Sequence, residues 1–119
     1  MKRRDIKNTQ NLNDQKRKQL QYIACYNLLK KIPLGSVTTY AILAKALKLS
    51  TPRALGRILG ANPNAPKIPC HRVIRSNGEI GGYAYGTDKK ITLLQKEGIK
   101  IKNGKILNLK NNLYRFKLR

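Results

Sequence analysis

Acidic residues are scarce in this chain, which has five Asp and Glu against 26 Lys and Arg and a formal net charge of +21. A domain with that imbalance repels itself unless a polyanion neutralises it. We therefore expect nucleic acid as the partner, whether DNA, free RNA or the ribosome, and an anionic membrane surface is the weaker alternative.

Cysteine and histidine are scarce as well, with two cysteines and one histidine. These numbers are too low for a disulfide framework or for the four ligands of a structural zinc site. No apolar run reaches the length of a bilayer span, and no signal peptide is visible. We expect an intracellular protein without metal, cofactor or membrane segment, in the cytoplasm with the nucleoid or, in a eukaryote, in the nucleus.

The 119 residues leave room for one domain with a modest core. Residues 1–17 are predicted to be a flexible basic arm, and residues 18–119 the folded domain. After the arm, apolar residues recur at three- and four-residue steps, which predicts a helix. The face that this periodicity favours comprises Leu20, Ile23, Ala24, Leu28 and Ile32.

Two short helices are predicted to follow. Thr38 or Thr39 can cap the first, which runs through YAILAKALK, and Thr51 can cap the second, with Pro52 in its first turn. Two short helices joined by a tight turn are typical of a helix-turn-helix.

Two arginines lie on the second of these helices. Arg53 and Arg57 are four residues apart, so they share one face of the helix. A solvated charged face without a binding role is the alternative interpretation. Because the whole chain is so basic, we expect this face to contact DNA.

Turn signals dominate the rest of the chain. Asn77-Gly78 favours a tight turn between two short strands, HRVIR and EIGGY, and Asn103-Gly104 favours a basic hairpin. KKITLLQKEG predicts a last helix that ends at Gly98. The predicted fold class is mainly α with short β-hairpins, a winged-helix-like helix-turn-helix DNA-binding domain.

The segment PKIPCHRVIRSNG places Cys70 and His71 side by side. A nucleophile with its base, a ligand pair and a buried structural cysteine are all open, although the shortage of ligands disfavours metal. Cysteine attacks as the thiolate, which nearby cations and bases stabilise. Adjacent side chains on an extended segment point to opposite faces, so His71 reaches Cys70 only through a bend or a water. Glu97 is the candidate acid that orients His71, and Cys25 is expected to be structural.

Four blocks of the sequence, in this order, resemble the O6-alkylguanine-DNA alkyltransferases. They are IPLGSVTTYAILAKAL, PRALGRILGANP, the signature IPCHRVIRSNGEIGGYAYG, and LLQKEGI. The resemblance runs from about Tyr22 to the C-terminus, and the N-terminal α/β domain usual in the family is expected to be absent. It implies a monomeric, single-turnover methylated-DNA–protein-cysteine S-methyltransferase. Such a protein binds double-stranded DNA containing O6-alkylguanine in the minor groove and flips the damaged base.

The resemblance also implies catalytic roles. Cys70 would accept the alkyl group irreversibly, His71 would act as its base through a bridging water, and Glu97 would orient His71. Asn62 would hold this network and the turn that joins helix to active-site loop. Tyr40 would crowd the 3′ phosphate and donate a proton to the leaving guanine.

The resemblance further implies how DNA is held. Arg53 would fill the gap left in the base stack, and small residues beside it would let the helix approach a narrow groove. The expected DNA-binding residues are Arg53, Arg57, Tyr40, Ala54 and Gly56. The guanine pocket is expected to be lined by Leu59, Val73, Tyr83 and Ala84.

Three other functions compete with alkyl transfer. A non-repairing sensor of alkylated DNA replaces the acceptor cysteine, usually by tryptophan, whereas this chain has Cys70. A general basic nucleic-acid-binding protein, such as a chromatin or ribosomal protein, leaves Glu97, Asn62 and Tyr40 without a role. A cysteine hydrolase needs an oxyanion hole, for which the sequence offers no residues.

Overall fold

The structure, a computed structural model, describes the backbone of residues 2–117 and the side chains of residues 13–117. Helices dominate this part of the chain, and the strands are two residues each. The elements are α1 (Lys2–Leu29), β1 (Thr38–Thr39), α2 (Tyr40–Ala46), α3 (Arg53–Gly60), a 3-10 turn (Cys70–Arg72), β2 (Val73–Ile74), α4 (Thr87–Lys96), β3 (Ile101–Lys102), β4 (Lys105–Ile106) and α5 (Leu109–Asn112). The prediction of a mainly helical fold with small sheets is confirmed. Among the described residues, no helix has the length and apolar character to cross a membrane.

α1 is longer than the sequence predicts. It begins at Lys2, so the helix includes residues 2–17, which we predicted to belong to a flexible basic arm. Their composition explains the difference. Residues 2–19 contain neither proline nor glycine and are rich in Lys, Arg and Gln, which are good helix formers.

The face of α1 that packs against the domain is the predicted one only in part, because Ile32 is buried and Leu28 packs against the core as predicted. Cys25 and Leu29 are fully buried, whereas Leu20 and Ile23 keep 59% and 51% of their surface exposed. Two apolar stripes overlap along this helix, and both satisfy helical spacing. The domain covers the stripe that continues through Cys25 and Leu29 to Ile32.

α2 and α3 form the predicted helix pair. Thr39 caps α2, since its Oγ1 accepts a hydrogen bond from the backbone N–H of Ile42 at 3.1 Å. α3 starts one residue later than predicted: Pro52 is its N-cap residue and no side chain caps it, so the expected capping by Thr51 is wrong. α3 buries one apolar stripe and leaves Arg53 and Arg57 exposed.

β1 joins the helix pair to the segment that carries Cys70. It pairs with β2 in parallel, with Thr38 opposite Val73 and Thr39 opposite Ile74. The tight turn predicted at Asn77-Gly78 is formed, since the N–H of Gly78 donates to the carbonyl of Arg75 at 2.9 Å. The flanking segments HRVIR and EIGGY, however, do not pair with each other as strands. Val73 and Ile74 are both fully buried, so β2 is covered on both faces although its sheet has two strands.

The hairpin at Asn103-Gly104 is confirmed. β3 and β4 pair antiparallel around these two residues, whose φ angles are 52° and 73°. Two positive φ angles are what the tight turns of two-residue hairpins require. The hairpin also bridges to Glu79, so it supports the chain just before the wall of the candidate site.

Candidate active site

The backbone bends at the Cys-His pair. Cys70–Arg72 form a single 3-10 turn that follows Pro69 at φ −83° and ψ 67°. The N–H of Arg72 closes the turn by donating to the carbonyl of Pro69 at 3.1 Å. Successive side chains of a 3-10 turn diverge by about 120° rather than 180°, so Cys70 and His71 do not point to opposite faces as they would on a strand.

His71 and Arg72 both bind Glu97. His71 Nε2 lies 2.8 Å from Oε2 of Glu97. Arg72 donates from Nε to Oε1 at 2.8 Å and from Nη2 to Oε2 at 2.9 Å. Burial disfavours the ionised carboxylate, but the hydrogen bonds from Arg72 and His71 outweigh it and hold the pKa of Glu97 below its usual value. Glu97 is therefore an anion at neutral pH, held at both oxygens.

The ring of His71 is neutral at neutral pH, because burial lowers its pKa despite the neighbouring Glu97. Since a carboxylate can only accept, Nε2 carries the ring proton and Nδ1 carries the lone pair. Nδ1 is buried and has no hydrogen-bond partner among the described residues. The ring therefore presents a basic nitrogen with free capacity, on a side chain that is 1% exposed.

The thiol of Cys70 is buried, with 6% of its surface exposed. Burial raises its pKa above the usual value, while the nearby Asn62 side chain and the charge of Lys90 act in the opposite direction. At rest Cys70 is therefore a thiol, and it needs a base to become a nucleophile.

Asn62 ties α3 to the loop before Cys70. Its Nδ2 donates to the carbonyl of Ile68 at 2.7 Å, and its Oδ1 accepts from the N–H of Asn64 at 3.0 Å. The side chain is 6% exposed. Asn62 thus holds the turn between α3 and the loop that precedes Cys70.

Lys90 is a residue of the site that our reading of the sequence missed. It is 1% exposed, and its Nζ donates to the carbonyls of Val73 and Gly82 at 2.8 and 2.9 Å. Burial lowers the pKa of Lys90 to about 8. The composition of a lysine-rich chain does not indicate which lysine is buried. The helical spacing does give a hint, because Lys90 lies four residues before Leu94 and therefore on the inner face of α4.

A cavity of about 700 Å³ opens beside the thiol. Its volume lies within the usual range for small-molecule sites. Its wall is formed by Tyr40, Pro52, Arg53, Gly56, Leu59, Gly60, Cys70, Arg75, Gly82, Tyr83 and Ala84. Most of the predicted DNA-binding and pocket residues therefore meet at one place.

Three predicted residues lie outside this wall. Val73 is fully buried in the core, and it reaches the site only through its carbonyl, which accepts from Lys90. Arg57 is exposed on α3, and Ala54 is half-buried on the same helix. The structure does not bring these side chains to the cavity.

Tyr40 lies close to Gly81, the residue before Gly82 of the cavity wall. A Cβ atom built at Gly81 would lie 3.0 Å from the Tyr40 hydroxyl oxygen, and Gly81 has a φ of 77°. Both the contact and the left-handed backbone require glycine there. Burial raises the pKa of Tyr40, so its hydroxyl keeps its proton at neutral pH and can donate it.

Residues 21–99 match the family model described as 6-O-methylguanine DNA methyltransferase, DNA binding domain. A bifunctional methyltransferase/endonuclease of Picrophilus torridus is 48% identical over 96 residues, which cover 80% of this chain and 31% of that protein. A methylated-DNA–protein-cysteine methyltransferase of Saccharolobus islandicus is 48% identical over 79 residues, 66% of this chain and 51% of that protein. The chain thus spans about half or less of these relatives.

Two solved structures share the fold. S. pombe Atl1, in complex with damaged DNA containing O6-carboxymethylguanine, is 28% identical with a TM-score of 0.72, covering 82% of this chain and 96% of that one. The O6-methylguanine-DNA methyltransferase of Pyrococcus kodakaraensis is 43% identical with a TM-score of 0.61, covering 66% and 46%. By the extent of its match, this chain belongs to the family of the 6-O-methylguanine DNA methyltransferase DNA-binding domain.

Proposed function

We propose that this protein repairs DNA by moving the alkyl group of an O6-alkylguanine onto Cys70, irreversibly and once per molecule. The observation that carries the proposal is the position of Cys70 in the wall of a cavity of about 700 Å³, directly before a histidine whose Nδ1 has no hydrogen-bond partner among the described residues. The family membership and the methyltransferase relatives support it.

His71 activates the thiol in this mechanism. Its Nε2–H is bonded to Glu97, so Nδ1 takes the proton of Cys70 through a bridging water. The anionic Glu97 stabilises the resulting imidazolium, and the charge of Lys90 favours the thiolate. This is the general-base arrangement of an activated nucleophile and an oriented base.

The transfer itself is a single displacement. Cys70 Sγ attacks the alkyl carbon, the S–C bond forms as the C–O6 bond breaks, and the electron pair passes to the guanine. The Tyr40 hydroxyl supplies a proton to the leaving guanine and recovers one from solvent. His71 releases to solvent the proton that it took from Cys70. In the balance, the thiol proton has moved to guanine and the product is a thioether on Cys70.

DNA approaches along α3, the second helix of the helix-turn-helix. Arg53 and Gly56 belong both to the cavity wall and to the exposed side of this helix. Arg53 fills the gap in the base stack after the damaged nucleotide has left the duplex through the minor groove. Ala54 and Gly56 allow close approach, and Arg57 adds a phosphate contact.

A second candidate is a protein that binds alkylated DNA without transferring the alkyl group. The likeness to Atl1, whose structure holds DNA with O6-carboxymethylguanine, favours it, as does the burial that keeps Cys70 protonated. The presence of Cys70, followed in the chain by a neutral histidine with an unpartnered Nδ1, favours transfer.

One mass measurement separates the two candidates. The protein is incubated with a duplex containing O6-methylguanine and, as a control, with the unmodified duplex, and the intact protein is weighed. We expect a gain of one methyl group with the damaged duplex alone, which peptide mapping assigns to Cys70. A folded protein that binds the damaged duplex and gains no mass is the binding protein, and the transfer proposal then fails.

A further inference from the structure

Arg75 lies in the wall of the cavity and has no part in the chemistry proposed above. It follows β2 directly, and its side chain is exposed. Its backbone is held on both sides, because its N–H donates to the carbonyl of Glu79 at 2.9 Å and its carbonyl accepts from Gly78 at 2.9 Å. The arginine is therefore mounted on a fixed turn at the cavity.

The side chain of Arg75 runs beside Tyr40. A Cβ atom at Gly81 would lie 3.0 Å from the Tyr40 hydroxyl oxygen and 3.6 Å from Cγ of Arg75. The two side chains thus flank Gly81, the residue before Gly82 of the cavity wall. The charge of Arg75 also acts against burial on the pKa of Tyr40, as expected for a guanidinium near the phenol.

No carboxylate neutralises Arg75 among the residues whose side chains the structure describes. Their ion pairs join Glu97 to His71 and Arg72. Glu79, the nearest acid along the chain, bonds with Asn77 instead. The cavity wall contains no acid, so the cavity attracts anions.

A second cation, Lys90, adds to the positive charge near the cavity. Arg75 lies close enough to Lys90 for its charge to contribute to the low pKa of that buried lysine. Two cations at one site repel each other, and an anion bound between or beside them relieves the repulsion. The planar guanidinium fits the oxygens of a phosphate with paired hydrogen bonds.

We propose that Arg75 binds the backbone phosphate of the nucleotide whose base occupies the cavity, and so holds that nucleotide outside the duplex. This inference rests on the proposed function, because it needs an extrahelical nucleotide. A phosphate suits the site better than a charged O6 substituent does. Arg75 is exposed at the solvent side, whereas the thiol that meets the substituent is buried.

The first test compares two substrates. Arg75→Gln should slow methyl transfer from duplex DNA about tenfold or more, as expected for loss of a hydrogen bond to a charged group. Reaction with the free base O6-benzylguanine, which has no phosphate, should stay within about twofold. Arg75→Lys should recover part of the duplex rate, and Arg115→Gln, an exposed arginine outside the cavity wall, should match the wild type. Equal loss on both substrates would overturn the inference.

The second test removes the phosphate charge instead. Duplexes are made with a neutral methylphosphonate on the 5′ or the 3′ side of the O6-methylguanine nucleotide. One of them should slow the wild type as Arg75→Gln does, and should slow Arg75→Gln no further. If the methylphosphonate costs the variant and the wild type the same factor at both positions, Arg75 does not bind these phosphates.

The outcomes separate this inference from the proposed function. Transfer by the wild type with an unchanged Arg75→Gln variant counts against the inference alone. No transfer by the wild type counts against the proposed function. In that case the same comparison is made with dissociation constants, measured for wild type and Arg75→Gln on the same duplexes. Binding of an extrahelical nucleotide needs no methyl transfer, so the inference is still tested.

Discussion

The chain places its two cysteines in two different regions of one core. Cys25, near the end of α1, is fully buried, and burial raises its pKa to about 12. Cys70, in the 3-10 turn, is almost as buried, and its pKa is also raised. Depth alone therefore does not distinguish the thiol that we expect to be structural from the one that we propose to react.

The groups around the two thiols do distinguish them. Desolvation dominates at Cys25, and the one other influence on it, the charge of Cys70, raises its pKa further. At Cys70, the Asn62 side chain and the charge of Lys90 oppose desolvation, and a neutral histidine follows next in the chain. A buried thiol becomes a usable nucleophile when the protein also buries the groups that will stabilise its thiolate.

Exchanging each cysteine for alanine gives the largest expected difference. Cys70→Ala should gain no methyl group from an O6-methylguanine duplex. Cys25→Ala should keep a transfer rate within about threefold of the wild type and lose about 1 kcal/mol of unfolding free energy, the usual cost of a small core truncation. Intact mass and denaturant unfolding measure the two effects. Methyl transfer to Cys25 in the Cys70→Ala variant would contradict the contrast between the two regions.

Removing the charge of Glu97 should make Cys70 less reactive, as we expect Cys25 to be. Glu97→Gln cannot accept at both oxygens from His71 and Arg72, so the base loses its anchor and its counter-ion. We expect transfer to slow about a hundredfold, the usual size of a general-base contribution. Glu79→Gln on the exposed turn is the matched control and should leave the rate unchanged. A Glu97→Gln rate close to the wild type would show that His71 works without Glu97.

Local signals in the sequence predicted the features that depend on neighbours in the chain. The hairpin at Asn103-Gly104 and the cap at Thr39 follow from the chemistry of one turn, and both are present. The resemblance supplied the grouping of Cys70, His71 and Glu97. The structure then showed the bend that the sequence left open between the first two.

Features that depend on residues distant in the chain could not be predicted from local sequence signals. The turn predicted at Asn77-Gly78 is present, but the strand before it pairs in parallel with β1, a distant part of the sequence that turn chemistry cannot indicate. The exposed Leu20 and Ile23 share their helical period with the stripe that is buried. Lys90 is the clearest example, because composition and charge alone assign every lysine to the surface.

Lys90 also gives the last test of the comparison, through the pH dependence of stability. Its pKa is about 8 in the folded protein, against 10.5 for an ordinary lysine. Below pH 8 Lys90 is protonated in both the folded and the unfolded state, so it does not change the unfolding free energy with pH. Between about pH 8 and 10.5 the unfolded state binds more protons, so its contribution to the unfolding free energy rises with pH, by about 3 kcal/mol at most.

The measurement is the unfolding free energy of wild type and Lys90→Met at several pH values between 7 and 10. We expect the wild type to gain stability relative to the variant as pH rises, because the cost of a buried ammonium disappears. Lys89→Met, at the neighbouring exposed position, controls for the loss of one charge and should run parallel to the wild type. A difference between wild type and Lys90→Met that is constant or falls with pH would mean that Lys90 is not a buried cation. The region of Cys70 would then lose the feature that most separates it from the region of Cys25.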